Sequence, residues 1–213
     1  GAMKRFVFLL FIAFSVVVPA RGQQPLYIVN GVERSDIRDI DAEVIEQMAR
    51  VAAGLSLAYI SYKTSLEKAA ATAASAMLRG ARGNSGVILS LLMRGISKKL
   101  KGTTECDGAL WAQALTEGVE AAYKAVMKPA EGTILTVSRL AAAAALEAAE
   151  KENAVESVQE AAIESAKEAL ANTVNQNPVL KKAGVVDAGG KGWLVALEAM
   201  LCALRGEDII APE

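Results

Sequence analysis

Gly80-Ala81-Arg82-Gly83-Asn84-Ser85-Gly86-Val87-Ile88-Leu89-Ser90 separates two stretches whose apolar residues recur at helical spacing. Two readings fit these residues. One is a helix–helix turn, with glycine closing the first helix and Asn84 or Ser85 capping the next. The other is a tight loop whose backbone N–H groups point at an anion where the following helix begins. Either way the stretch divides helices, not strands.

Working outward, the same periodicity continues on both sides. Asp41 is placed to cap a first helix carrying Val44, Ile45, Met48, Val51, Ala52, Leu55 and Ala58 at helical spacing. A second helix is predicted from about Ser65 to Leu78. A third runs from Asn84 or Ser85 to about Leu100, with Lys98, Lys99 and Lys101 near its C-terminus, where cations suit the helix dipole. Asp107 caps a fourth, which stops before Pro129. A fifth runs from about Gly132 to Lys151 through the alanine run 141–145, small enough to let neighbouring backbones approach. A sixth covers about Ala154 to Asn172, with Glu164 and Lys167 on its wet face. After a polar loop containing Pro178, the last spans about Gly190 to Leu204 and ends at Gly206. The fold class is therefore all-α, with about seven helices over residues 41–207 and a short tail at 208–213.

Composition agrees. The 213 residues suffice for one domain with a sizeable core, and 53% are hydrophobic but only 5% aromatic, so alanine and leucine must fill that core. A formal net charge of −1 offers no basic surface for nucleic acid. Cys106 and Cys202 read as free thiols in apolar helices. The absence of histidine excludes a Ser-His or Cys-His nucleophile pair and any histidine-ligated metal.

The N-terminus has a different character. Gly1-Ala2 before Met3 reads as a tag scar, and Lys4-Arg5, the apolar run Phe6–Val18 and Pro19-Ala20-Arg21-Gly22 form a secretory signal pattern over residues 1–22. The run is too short for a stable membrane span. Residues 23–40 read as a loosely structured arm, in which Tyr27-Ile28-Val29 leads through Asn30-Gly31 to Val32, a strand entering a turn. Pro25–Val32 resembles a plug-domain segment of outer-membrane TonB-dependent receptors. A secretory signal conflicts with the cytoplasmic character of the helical part.

Two further loops share the character of the first. Lys128-Pro129-Ala130-Glu131-Gly132-Thr133 precedes the fifth helix, and Gly184-Val185-Val186-Asp187-Ala188-Gly189-Gly190-Lys191-Gly192 precedes the last. Three glycine-bearing helix starts could converge on one phosphate-rich ligand, because helix N-termini offer free N–H donors and partial positive charge. Gly80–Ser90, Ala122–Val137 and Pro178–Gly192 together resemble the nucleotide-binding domain of bacterial fatty-acid kinase, itself similar to the ATP-binding domain of dihydroxyacetone kinases. The resemblance covers about residues 65–207. It implies an antiparallel helical barrel that holds ATP or ADP with magnesium at one end. Gly83, Asn84, Ser85 and Gly86 would contact phosphates, Glu131, Gly132 and Thr133 would line the pocket, and Asp187, Ala188 and Gly189 would close it. It also implies an acyl-binding or substrate-presenting partner protein, and it leaves a homodimer open.

One family feature is missing. Those kinases carry a D-G-D-T-G-T-N-M loop whose carboxylates hold magnesium, and no such motif occurs in this sequence. Asp39 and Asp41 keep a D-x-D spacing without the glycines, and Asp41 is expected merely to cap its helix. No metal ligand and no catalytic residue is assigned. The resulting expectation is that residues 3–48 come from a different source and have replaced the metal loop. The chain then reads as an impaired phosphotransferase domain; the alternative is a non-catalytic helical interaction or structural module.

Overall fold

The computed structural model describes residues 27–29, 32–34, 66–81 and 83–205. The expected signal segment, the first helix with its Asp41 cap, the Asp39/Asp41 pair and the tail lie outside them. Strands β1 (Tyr27–Val29) and β2 (Val32–Arg34) pair antiparallel, Tyr27 opposite Arg34 and Val29 opposite Val32; β1 is the strand expected from the sequence, and β2 is additional to it.

From residue 66 onward the described chain is helical: α1 (Leu66–Gly80), α2 (Gly83–Lys99), α3 (Gly108–Ala125), α4 (Ile134–Lys151), α5 (Val155–Gln176), α6 (Pro178–Ala183) and α7 (Ala188–Arg205). From α1 to α6 consecutive helices pack on one another, and α7 closes against α4 and α5, the arrangement that short connections impose on an antiparallel bundle. The helix ends follow local chemistry. Asp107 caps α3 by accepting the Leu110 N–H at 2.8 Å, and Thr133 caps α4 by accepting that of Leu135. No helix among the described residues is long and apolar enough to cross a membrane.

Two boundaries differ from expectation. The polar loop around Pro178 is the short helix α6. Asn177 accepts the Val179 N–H at 3.0 Å, Pro178 at the first position presets φ, and Gly184, at φ +68°, ends the helix with its N–H on Leu180 O. The third predicted helix begins at Gly83, so Asn84 and Ser85 lie inside its first turn instead of capping it.

Trp111, Trp193, Met77, Leu89, Leu92, Ile134, Leu197 and Met200 are fully buried. Of the alanine run only Ala141, Ala142 and Ala145 are buried, the i, i+1, i+4 face of α4. The tightest crossing lies elsewhere: a Cβ on Gly95 of α2 would stand 2.3 Å from Glu117 O of α3, and one on Gly118 would stand 2.7 Å from Leu92 O. Gln159, wholly buried, accepts the Trp111 indole N–H at 2.6 Å and donates to Leu197 O at 2.9 Å, joining α3, α5 and α7.

Candidate functional site

In an antiparallel bundle alternate helices start at the same end. Here the starts of α2, α4 and α7 carry the three glycine loops. Each loop holds one glycine in the left-handed region, Gly83 at φ +61°, Gly132 at +73° and Gly184 at +68°, which lets the chain reverse without the penalty a side chain would incur.

The first and third loops touch. Gly189 in the first turn of α7 lies so close to α2 that a Cβ there would be 2.9 Å from Ser85 Oγ and 3.4 Å from an Asp187 carboxylate oxygen. Asp187 accepts the Gly190 N–H at 2.7 Å and thereby caps α7. Its own N–H donates to Thr173 Oγ1 at 3.1 Å, at the C-terminal end of α5. The second loop reaches the same place, since a Cβ on Gly132 would be 3.0 Å from Thr173 O and from Asn177 N. Thr173 therefore stands between loops two and three, and Gly189 of loop three meets Ser85 of loop one.

Among the predicted residues, Gly83, Asn84, Ser85 and Gly86 form the first turn of α2, where N–H groups have no carbonyl within the helix to bond. Ala188 and Gly189 open α7 in the same way. Thr133 donates to Ala130 O at 2.8 Å and is engaged as a cap. The Glu131 carboxylate turns toward α4, accepting from Thr136 Oγ1 at 2.8 Å and from Arg139 Nη2 at 2.9 Å. Gly132 N–H donates to Thr136 Oγ1 at 2.9 Å, and Arg139 Nε donates to Tyr123 OH at 3.1 Å. Arg139 is held firmly protonated, first by the Tyr123 hydrogen bond and then by the charge of Glu131. Thr136, Arg139, Tyr123 and Thr173 were not legible as site residues. Tyr123 and Arg139 lie 16 positions apart, on different helices.

Two open grooves of about 580 and 460 Å³ lie on the flanks, one around Lys167 and Cys202 between α5 and α7, the other around Arg94 and Lys124 between α2 and α3. No residue of the three loops lines either. Among the described residues no group of three or more His, Cys, Asp or Glu side chains could hold a metal ion. Cys106 is fully buried, and burial, aided by the charge of Asp107, pushes its thiol up to about 12.

An all-α bundle with three glycine-bearing helix starts gathered at one end defines the class. The chain belongs to the DAK2 domain family, whose profile matches residues 44–202. DAK2 domains are nucleotide-binding modules of the DhaL type, and members generally bind ADP or ATP. Uncharacterized proteins of Staphylococcus aureus strains USA300 and NCTC 8325 are each 51% identical over 140 residues, which is 66% of this chain and 26% of theirs. A protein of the bovine strain RF122 matches to the same extent. The chain thus spans about a quarter of the length of these relatives.

Proposed function

We propose that the chain binds ATP or ADP where α2, α4 and α7 begin, as the nucleotide-holding part of a phosphotransferase of the fatty-acid or dihydroxyacetone kinase kind. The contact of Ser85 with Gly189 carries this reading. It brings two positive helix ends together, an arrangement that is unfavourable alone and is relieved by an anion between them. Gly83, Asn84, Ser85 and Gly86 hold phosphate oxygens through N–H groups and the serine hydroxyl. Glu131, Gly132 and Thr133 wall the pocket, and Asp187, Ala188 and Gly189 close it.

Phosphoryl transfer needs positioning and charge neutralisation more than a protein nucleophile, so the absence of histidine is no obstacle. The acceptor would be presented by a partner protein, or by a further part of a longer protein. The magnesium that the family implies does not fit the described residues. No carboxylate cluster is available, and Asp187 is already engaged in capping α7. The sequence lacks the D-G-D-T-G-T-N-M loop, so this reading expects reduced turnover in the chain alone. This reading includes an N-terminal segment, residues 3–48, of a different source from the helical domain.

Calorimetric titration and thermal melting with ADP, with and without magnesium, test the binding. A ligand at a hundred times its Kd adds about 2.7 kcal/mol, which raises the melting temperature by roughly 5–10 °C. Unchanged melting would favour the second reading, a helical interaction module. ATP turnover with an acyl-binding partner tests the impairment. Robust turnover lost in Asp39→Asn with Asp41→Asn would mean that the pair supplies the metal site.

A further inference from the structure

We infer that Arg139 is a positioning residue which, held by Tyr123, pins Glu131 and so fixes the 129–133 loop, making the Glu131 side chain a brace for the nucleotide pocket and not a ligand. Its part in nucleotide binding rests on the reading above; its part in the loop rests on the contacts. One carboxylate oxygen of Glu131 takes two hydrogen bonds, both from α4: Thr136 Oγ1 at 2.8 Å and Arg139 Nη2 at 2.9 Å. Because the Thr136 hydroxyl gives its proton to Glu131, its lone pair is turned to the Gly132 N–H, at 2.9 Å. Gly132 is the residue at φ +73°, seated 3.0 Å (measured from a Cβ placed on it) from Thr173 O. A chain of bonds therefore runs from Tyr123 on α3, through Arg139, Glu131 and Thr136, to the backbone of the loop. Thr136 is wholly buried, so without Glu131 its hydroxyl loses an acceptor that water cannot readily replace.

The side chains of Arg139 and Glu131 are 43% and 54% exposed. Substitution there leaves the core intact, and the variants stay folded. Glu131→Ala, Arg139→Ala, their double variant and Glu131→Gln separate a brace from a direct ligand. The probe is ADP with magnesium, titrated into the chain. Each alanine variant should weaken binding roughly tenfold, and the double variant no further, since both break one chain. Glu131→Gln should stay within about threefold of wild type, because the amide oxygen still accepts from Thr136 and Arg139. Additive losses, or a Gln variant as weak as the Ala variant, would make Glu131 a direct ligand and overturn the inference. Amide hydrogen exchange at Gly132 in the nucleotide-free chain reads the brace independently: it should quicken in both alanine variants, and unchanged exchange would refute the brace. If the wild-type chain takes up no ADP, the proposed function fails, while the exchange measurement still decides the role of Arg139.

Discussion

Gly189→Ala separates binding from folding more cleanly than any other change in the three loops. The new Cβ would stand 2.9 Å from Ser85 Oγ, 3.3 Å from Ser85 Cβ and 3.4 Å from an Asp187 oxygen. The first distance is too short and is relieved by turning the serine hydroxyl about χ1; the second is tight and needs Ser85 to give by only a few tenths of an ångström. The fold should therefore change by no more than about 0.5 kcal/mol. The hydroxyl, however, is driven from the direction in which a phosphate would be met. Loss of one hydrogen bond to a charged group is about 1.5–3 kcal/mol, roughly 10- to 150-fold in affinity. The neighbouring Gly190→Ala supplies the contrast. Its Cβ would lie 2.9 Å from Val137 Cγ2 and 3.3 Å from both Leu170 Cδ1 and an Asp187 oxygen; the closest approach is inside the core, where overpacking costs about 1–3 kcal/mol. Paired ADP titrations and melting curves on the two variants are the assay. Gly189→Ala should lose affinity at an unchanged melting temperature, and Gly190→Ala should melt several degrees lower. A Gly189→Ala variant that binds ADP as tightly as wild type would remove Ser85 from the phosphate site.

Other expectations follow from packing and charge. Gly95→Ala would press a Cβ to 2.3 Å from Glu117 O and 2.5 Å from Gly118 Cα, both backbone, so α2 and α3 must part. Strain of about 3 kcal/mol less about 1 kcal/mol of helix propensity predicts a fall of roughly 4–8 °C in melting temperature. Gln159→Leu leaves the buried Trp111 indole N–H without its acceptor and should lower stability by about 1–3 kcal/mol in a denaturant titration. Asp107 is held below the usual carboxylate range by the Leu110 N–H first and Asn153 second. Its contribution is therefore complete above about pH 4 and lost as pH falls through the depressed value. Asp107→Ala should cost about 1 kcal/mol at pH 7, and the difference from wild type should shrink as the pH is lowered below 4.

The helices were legible because their signals are local. Asp107 and the apolar spacing mark starts and faces within a few residues of one another. The alanine run announced close packing, and it does bury Ala141, Ala142 and Ala145. The nearest backbone approach nevertheless falls at Gly95 and Gly118, 23 positions apart, where only the crossing of two helices shows which glycines meet. Asn177, Pro178 and Gly184 spell out a short capped helix, but with Asn and Pro adjacent in a polar stretch they read equally well as a turn. The partners of Glu131 were out of reach for another reason. A carboxylate beside a glycine suits a ligand and a brace alike, and only the positions of Thr136 and Arg139 on the next helix distinguish them.

Helix parity explains why the three loops could be paired with one another before their contacts were known. In an up-and-down bundle α2 and α4 must begin at one end, and α5 must finish there. A direct turn from α5 would start the next helix at that same end, and α6 does not alter this. It is only six residues long, and its left-handed Gly184 returns the chain at once. Val185 N–H still bonds to Leu180 O at 3.3 Å, and two residues later Asp187 N–H reaches back to Thr173 on α5. The insertion thus moves the start of α7 sideways without sending it to the far end. That offset lets Gly189 meet Ser85 on α2 while Gly190 packs against Val137 on α4. Two adjacent glycines serve two different neighbours, one toward the candidate site and one toward the core. This division is the physical reason why Gly189→Ala and Gly190→Ala should fail in different assays.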